Sequence, residues 1–582
     1  MQKFLLSILL VISCLAVKAQ VSQADDQLAR QLVSKNLSQI GISQQDLQES
    51  LVSSTYLASS GFRMVYLQQS YKGIPVYNKM HVLAFRGEHV VSVAGDRIPG
   101  LSKSVNIPSG ESVITVEAAV VSALKKHKLD AKGITAAKEL MIGVYDNKFN
   151  FGKLGVATEN ITAELIWMPV EKGGVRLAWQ ILLVPARSDD YLLVRIDAEN
   201  SQFINEDNLT VYDSWDHAKA DNQMFNNRNF VTARVEKTEN NLKYNPPLIN
   251  SASYLVVNYP AESPIHPGGT AALDTDPWNR APGNATSLKW HSNGTTDYNI
   301  TRGNNVWATE DRAASNTNSG LPATSSTPDP LTFNFTPDYT AAPTTATFQQ
   351  YAITNLFYWN NIMHDLNYVY GFDEVGGNFQ ANNQGRGGAG NDDVIALAQS
   401  GAGTNNANFA TPNDGSRPRM RMYLFTAPNP DRDGDLDNGV VTHEYGHGIS
   451  NRLTGGPANS SCLGNAEQGG EGWSDYFALM LTTNWATAQV TDGAVPRAMG
   501  TYVLNQAVSG SGIRTYRYST NMAVNPLTYA NLGVAPIGTE VHNIGEVWCM
   551  ALWEMTGRSS NKPIQLTRIY SMLLVPVVIP LP

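Results

Sequence analysis

Two histidines four residues apart constrain this chain more than any other feature. In Val440-Val441-Thr442-His443-Glu444-Tyr445-Gly446-His447-Gly448, a helix puts His443 and His447 on one face, a turn apart, where both imidazoles can reach one Zn²⁺. Glu444, beside the first histidine, then faces the metal's open side and can take a proton from water there. A helical zinc site needs a third ligand, and a catalytic one keeps a fourth position open. Glu471 stands 24 positions after His447, in Gly469-Gly470-Glu471-Gly472-Trp473-Ser474-Asp475, and opens a second amphipathic segment. Asp475 falls one turn later on the same face, which suits a carboxylate that receives the N–H of a ligand histidine and fixes its tautomer. Two readings compete with Glu471 as ligand: a helix N-terminal charge favoured by the helix dipole, and Glu467 in its place.

Charge divides the chain. Residues 1–250 hold 26 Lys+Arg against 25 Asp+Glu, whereas residues 251–582 hold 16 against 26. Seventeen lysines fall in the first part and only Lys289 and Lys562 in the second. A break this sharp near residue 250 suggests two pieces with separate roles. The overall charge of −9 argues against a nucleic-acid partner, which needs a concentrated positive field. The start reads Met1-Gln2-Lys3, then an apolar run from Phe4 to Val17, then Lys18-Ala19-Gln20. That is the pattern of a secretory signal peptide over residues 1–19, the run of about 14 being short of the roughly 20 residues a bilayer span needs. Secretion without an integral membrane span is therefore expected. A lipoprotein-like Val11-Ile12-Ser13-Cys14 makes surface anchoring through Cys14 a lesser alternative. Export leaves Cys462 and Cys549, whose pairing the sequence does not fix.

Strand-like runs, the first three separated by Gly-, Asn- and Glu-containing turns, predict strands at Met64–Leu67, Val82–Phe85, Val90–Val93, Ala163–Met168, Leu177–Val184 and Tyr191–Ile196, with a helix inside Ser112–Leu129. The first half thus reads as α+β, in two small units with antiparallel sheets. Its histidines at 81, 89, 127 and 217 show no metal-ligand spacing, and nothing in it looks catalytic. Residues 235–250 are polar and Pro-containing, as a cleavable linker is. The stretch from there to about 345 reads as loop-rich but folded, because Trp278, Trp290 and Trp307 call for burial. A helix is predicted over Phe348–Tyr370, and mainly helices after Asn438. Asp431-Arg432-Asp433-Gly434-Asp435-Leu436-Asp437 has a calcium-like look, but Gly is fourth where a calcium loop has it sixth, and no Glu stands twelfth. It reads as shaping the approach to the zinc helix, with bound Ca²⁺ a secondary expectation.

Several blocks together resemble the fungalysin family of secreted zinc metalloendopeptidases, relatives of thermolysin. They are His443 through Pro457, Gly470-Glu471-Gly472-Trp473-Ser474-Asp475, Tyr370-Gly371-Phe372-Asp373-Glu374, Thr404-Asn405-Asn406-Ala407-Asn408-Phe409 and His542-Asn543-Ile544-Gly545-Glu546-Val547-Trp548. This resemblance runs from about residue 285 to 556. Gln68-Gln69 through Lys72-Gly73-Ile74-Pro75-Val76 is similar to the family's inhibitory propeptide. The resemblance implies one catalytic Zn²⁺ on His443, His447 and Glu471, with Glu444 as general base. It makes His542 the donor to the transition-state oxyanion, where the residue alone would read equally well as a capping or core histidine. Asn406 and Ala407 match the edge segment that grips a substrate backbone by strand addition.

The expected organisation is α+β: a propeptide over 20–250, then a thermolysin-like catalytic unit with a β-rich part over 251–435 and a mainly helical zinc-binding part over 436–582. The expected function is hydrolysis of internal peptide bonds in extracellular proteins by a metal-activated water, from a zymogen cut near residues 240–252. Its partners are protein or peptide substrates and its own propeptide, with oligomeric state left open. The alternative is a non-catalytic, zinc-stabilised surface protein that kept the fold, against which the retention of Glu444 speaks. After about residue 556 the resemblance stops, and Leu573–Pro582 has no helical period. That end reads as truncated or frame-shifted, with a variable tail as the other reading.

Overall fold

The computed structural model describes residues 21–58, 61–134, 139–141, 148–170, 173–214, 249–281 and 283–559. The expected signal peptide with Cys14, most of the expected cleavage segment and the tail from 560 lie outside the described residues. No helix among those described is long and apolar enough to cross a membrane.

The chain begins with α1 (Gln23–Lys35), α2 (Leu37–Ile40) and α3 (Gln44–Gln48). Ser22 starts α1 by accepting a hydrogen bond from the Asp25 amide, and Ala29, Leu32 and Val33 form its buried stripe. These helices cover antiparallel β1 (Ser50–Leu57), β2 (Arg63–Tyr71), β3 (Ile74–Arg86) and β4 (His89–Gly95). Then α4 (Val116–Lys126) packs on β5 (Glu139–Met141), β6 (Lys148–Asn150), β7 (Thr162–Pro169), β8 (Val175–Leu183), β9 (Leu192–Asp197) and β10 (Phe203–Asn208). One parallel pairing, Val76 with Trp167, joins the two groups into a ten-stranded sheet. Each group keeps its own core, one around Val33, Leu67, Leu83 and Phe85, the other around Val120, Trp167, Leu177 and Ile196. The six expected strands all fall within or against β2, β3, β4, β7, β8 and β9.

The next strand, β11 (Thr210–Ser214), leaves this sheet and joins another. The later strands are β12 (Ala252–Val256), β13 (Ala272–Thr275), β14 (Val306–Glu310), β15 (Leu331–Phe333), β16 (Val394–Ala398), β17 (Asn406–Ala410) and β18 (Arg419–Met422). A five-stranded sheet runs in the order β11-β17-β18-β16-β14, so its edge comes from the N-terminal half of the chain. Helix α5 (Ala346–Val369) is buried along most of its length against this sheet and β12. Trp278 and Trp290 are buried beside it, and Trp307 is half-buried.

Three helices follow: α6 (Asn438–Thr454), α7 (Gly470–Leu481) and α8 (Val541–Ser559). The expectation of a mainly helical end is corrected between α7 and α8. Residues 482–540 contain turns, bends, one isolated bridge between Arg497 and Tyr518, and two short 3₁₀ segments, Val490–Ala494 and Tyr529–Asn531. Pro496, Pro526 and Pro536 remove backbone donors there, and Gly500, Gly512, Gly533 and Gly538 adopt positive φ, which breaks any helical run.

Candidate functional site

The zinc-motif helix is positioned from both ends. Asp437 caps α6 by accepting from the Val440 amide. At its other end Arg452 donates to the carbonyls of Pro412 and Gly377 at 2.7 and 2.8 Å, and to Asp392 at 3.1 Å. Contact with α7 needs a residue without a side chain: a Cβ on Gly446 would lie 2.9 Å from Ser474 Cα. A Cβ on Gly472 would lie 2.0 Å from the Gly545 carbonyl, so α7 and α8 touch through glycines too. These approaches bring His443, His447, Glu471 and His542 onto one spot.

His443 Nε2 and His447 Nε2 lie 3.0 Å apart. Glu471 Oε2 is 3.2 Å from the first, 3.6 Å from the second and 3.6 Å from His542 Nε2. The rival Glu467 is exposed. His443 Nδ1 pairs with Asp475 Oδ1 at 2.7 Å, which leaves Nε2 facing the cluster. Asp475 is in turn gripped by Arg514, Nε to Oδ2 at 2.7 Å and Nη2 to Oδ1 at 2.9 Å, and by a short hydrogen bond from the Tyr518 hydroxyl. Burial opposes its ionisation, but Arg514 and then His443 hold the Asp475 carboxyl well below the usual range. His542, in the first turn of α8, directs Nδ1 to Glu540 Oε1 at 2.6 Å.

A residue that sequence reasoning missed completes the group. Asp213, on β11, sits with Oδ2 2.8 Å from His443 Nε2 and Oδ1 2.7 Å from His542 Nε2. Strand β11 pairs antiparallel with β17, Asp213 opposite Ala407 and Ser214 opposite Asn406. Asn406 and Ala407 therefore already hold a strand, one from the chain's own N-terminal half. Ligand atoms of Asp213, His443, His447 and Glu471 all lie within 4.8 Å of one another, the one such group among the described residues.

Electrostatics follow from this crowding. Burial works against a charged His443, yet Asp213 and its hydrogen bonds hold it well above the ordinary imidazole value. His447, where burial dominates, is pushed down to about 4. Burial and then Asp213 push the Glu444 carboxyl well above its usual range. Glu471 Oε2 and both Glu444 carboxylate oxygens are buried without a well-aligned hydrogen-bond donor, and orphaned buried acceptors are costly. A divalent cation between the imidazoles and the carboxylates of Asp213 and Glu471 would meet Glu471 Oε2. Two histidines with a carboxylate are a donor set that suits zinc, and the residues present fit it.

The Asp433–Asp437 stretch serves other ends. Asp433 accepts from Gln399 Nε2 at 2.5 Å and Asp435 from the Gln399 amide at 3.0 Å, while Asp437 caps α6. It gathers no metal-holding group among the described residues, so the calcium expectation gains no support. Cys462 and Cys549 are both free, with Cys549 buried.

The N-terminal half is moored on the C-terminal half at two places. Near β11, Arg421 pairs with Asp189 at 2.6 Å, Arg419 donates to the Asp189 carbonyl at 2.7 Å, and Asn316 donates to the Ser188 carbonyl at 2.6 Å. Leu209 packs with Val184, Tyr191 and Ala410 across the same junction. Beyond the end of α6, the Tyr66 hydroxyl donates to the Leu453 carbonyl at 2.9 Å and Asn78 to the Ser461 carbonyl at 3.0 Å.

Comparison with known proteins accords with this architecture. A family profile described as fungalysin metallopeptidase (M36) matches residues 253–561. A second, for the fungalysin/thermolysin propeptide motif, matches residues 50–96, a span covering β2 and β3. Extracellular metalloproteinase 2 of Arthroderma benhamiae is 42% identical over 331 residues, 56% of this chain and 50% of its own. Extracellular metalloproteinase 2 of Arthroderma gypseum is 35% identical over 505 residues, 86% of this chain and 70% of its own. Extracellular metalloproteinase 10 of Uncinocarpus reesii is 35% identical over 510 residues, 87% and 71% of the two chains. Against the first of these, as against several others, the chain spans about half the relative's length. From the profile and the longer matches, the chain belongs to the fungalysin metallopeptidase family.

Proposed function

We propose that this protein is an exported, zinc-dependent endopeptidase made as a latent precursor. One observation carries the reading: two imidazoles and a carboxylate converge beside a sheet edge, with His443 braced by Asp475. Bound by His443, His447 and Glu471, zinc would polarise the scissile carbonyl and the attacking water. Glu444, next to His443 on α6 and unmatched by any donor, takes the water's proton and delivers it to the leaving amine. His542 presents Nε2 to the same spot and donates to the oxyanion as charge develops. Asn406 and Ala407 offer the backbone edge on which an extended peptide adds as a strand.

The propeptide is residues 20–250, and the catalytic unit runs as a β-rich part over 251–435 and a zinc-binding part from 436. In the uncut chain β11 takes the peptide's place on β17, which is direct occlusion of the cleft. The relatives' names as extracellular metalloproteinases and the leader at residues 1–19 support export and protein substrates. Casein hydrolysis by processed protein, lost to a chelator and restored by zinc, tests the activity. N-terminal sequencing tests the processing. A start within residues 240–252 is expected, and an active enzyme beginning at Gln20 refutes the zymogen.

A further inference from the structure

We propose that Asp213 is the fourth zinc ligand of the uncut chain, so that latency rests on a carboxylate bound to the metal and not on steric cover alone. This rests on the reading of His443, His447 and Glu471 as zinc ligands. Ligands about 2.0–2.1 Å from a tetrahedral zinc lie roughly 3.3–3.4 Å from each other. The spacings among His443, His447, Glu471 and Asp213 already run from 2.8 to 3.6 Å where they are in contact.

Three further observations favour a ligand over a bystander. Asp213 is buried to 1% exposure, and its two oxygens face the imidazole nitrogens of His443 and His542. A carboxylate is buried this fully only at high cost unless a cation meets it. The register then fixes its direction. Residues 210–214 pair one for one with 410–406, and side chains of a strand alternate between faces. Asp213 points into the cluster, while its neighbour Tyr212 turns to Asp190. Finally, one carboxylate blocks two functions at once, since Oδ1 also holds His542 Nε2 at 2.7 Å. A main-chain plug without this side chain would leave the fourth position and the oxyanion donor free.

The test uses the full chain with Co²⁺ in place of zinc, in a Glu444→Gln background that prevents self-cleavage. Asp213→Ala removes the ligand, and Asp213→Asn keeps its shape and hydrogen bonding, so the comparison survives if the alanine variant fails to fold. Both substitutions are expected to change the visible cobalt spectrum of the uncut chain. Both should also speed metal release to a chelator at least about 10-fold, the lower end of what loss of metal-site support costs. Superposable spectra and equal release rates overturn the role of Asp213 and leave the endopeptidase reading standing. An uncut chain that takes up no cobalt overturns both.

Discussion

Among the charged side chains buried in residues 21–214, Arg195 and Asp197 stand inside the fold and Asp213 projects out of it into the partner half. The interior of residues 249–559 instead contains Arg419, Arg421, Arg452 and Arg514 with Asp392, Asp433, Asp435, Asp437, Glu444, Glu471 and Asp475. The N-terminal half is built on apolar cores, each group of strands packing on its own helices. The other half arranges buried charges in chains that end at the metal group, such as Tyr518 and Arg514 to Asp475 to His443. Buried ion pairs add little net stability, but breaking one is expensive. The contrast separates a half held together by apolar faces from a half whose buried charges hold position.

Four experiments probe that contrast, beginning with the largest effect. Glu444→Gln should retain zinc and lower proteolysis by about 10²- to 10⁴-fold, the usual share of a general base; comparable activity would remove Glu444 from the mechanism. Arg452→Met leaves Asp392 and Asp414 buried together at the end of α6. It should cost about 3–5 kcal/mol in urea unfolding. Arg195→Met in the N-terminal half, where the partner Asp207 is partly exposed, should cost roughly 1–3 kcal/mol. Equal losses would erase the difference between the halves.

Asp475→Asn should weaken zinc binding about 10- to 100-fold while leaving the helices in place, measured by competition with a chelator. The smallest effect concerns His291, buried among Tyr254, Phe333 and Phe357. Burial lowers its pKa from 6.5 to about 3. The unfolded chain then holds the extra proton across that window, so this contribution to stability is present above pH 6.5 and is lost as pH falls toward 3. His291→Phe should flatten the acid limb by up to about 1.4 kcal/mol per pH unit, and an unchanged limb would assign acid sensitivity to other groups.

Elements governed by local period were readable in the sequence. The strands around Val65, Leu83 and Ile181 are apolar runs bounded by turns, buried almost throughout, and α6 announces itself through His443 and His447. Glu471 and Asp475 followed from helix spacing, because a ligand and its support one turn apart need only a local geometry. Asp213 was invisible for the opposite reason: its position depends on pairing residues 210–214 with 406–410, and locally it is one carboxylate in a short strand. Arg514 and Tyr518 lie in the non-helical stretch 482–540, where no period marks them. The helices on either side of that stretch carry the helical character of this end, and its prolines and glycines mark where it is interrupted.

Every contact that holds the N-terminal half against the catalytic half described above comes from residues up to 214. A cut near 240–252 therefore severs the tether and removes none of the grip. What changes is concentration: a tethered strand sees its groove at an effective millimolar level, whereas a severed one obeys mass action. Activation becomes a matter of dilution and of how fast the freed half is degraded. On the zymogen reading, a dense secretion would stay restrained after processing, and the same protein spread into a larger volume would be released.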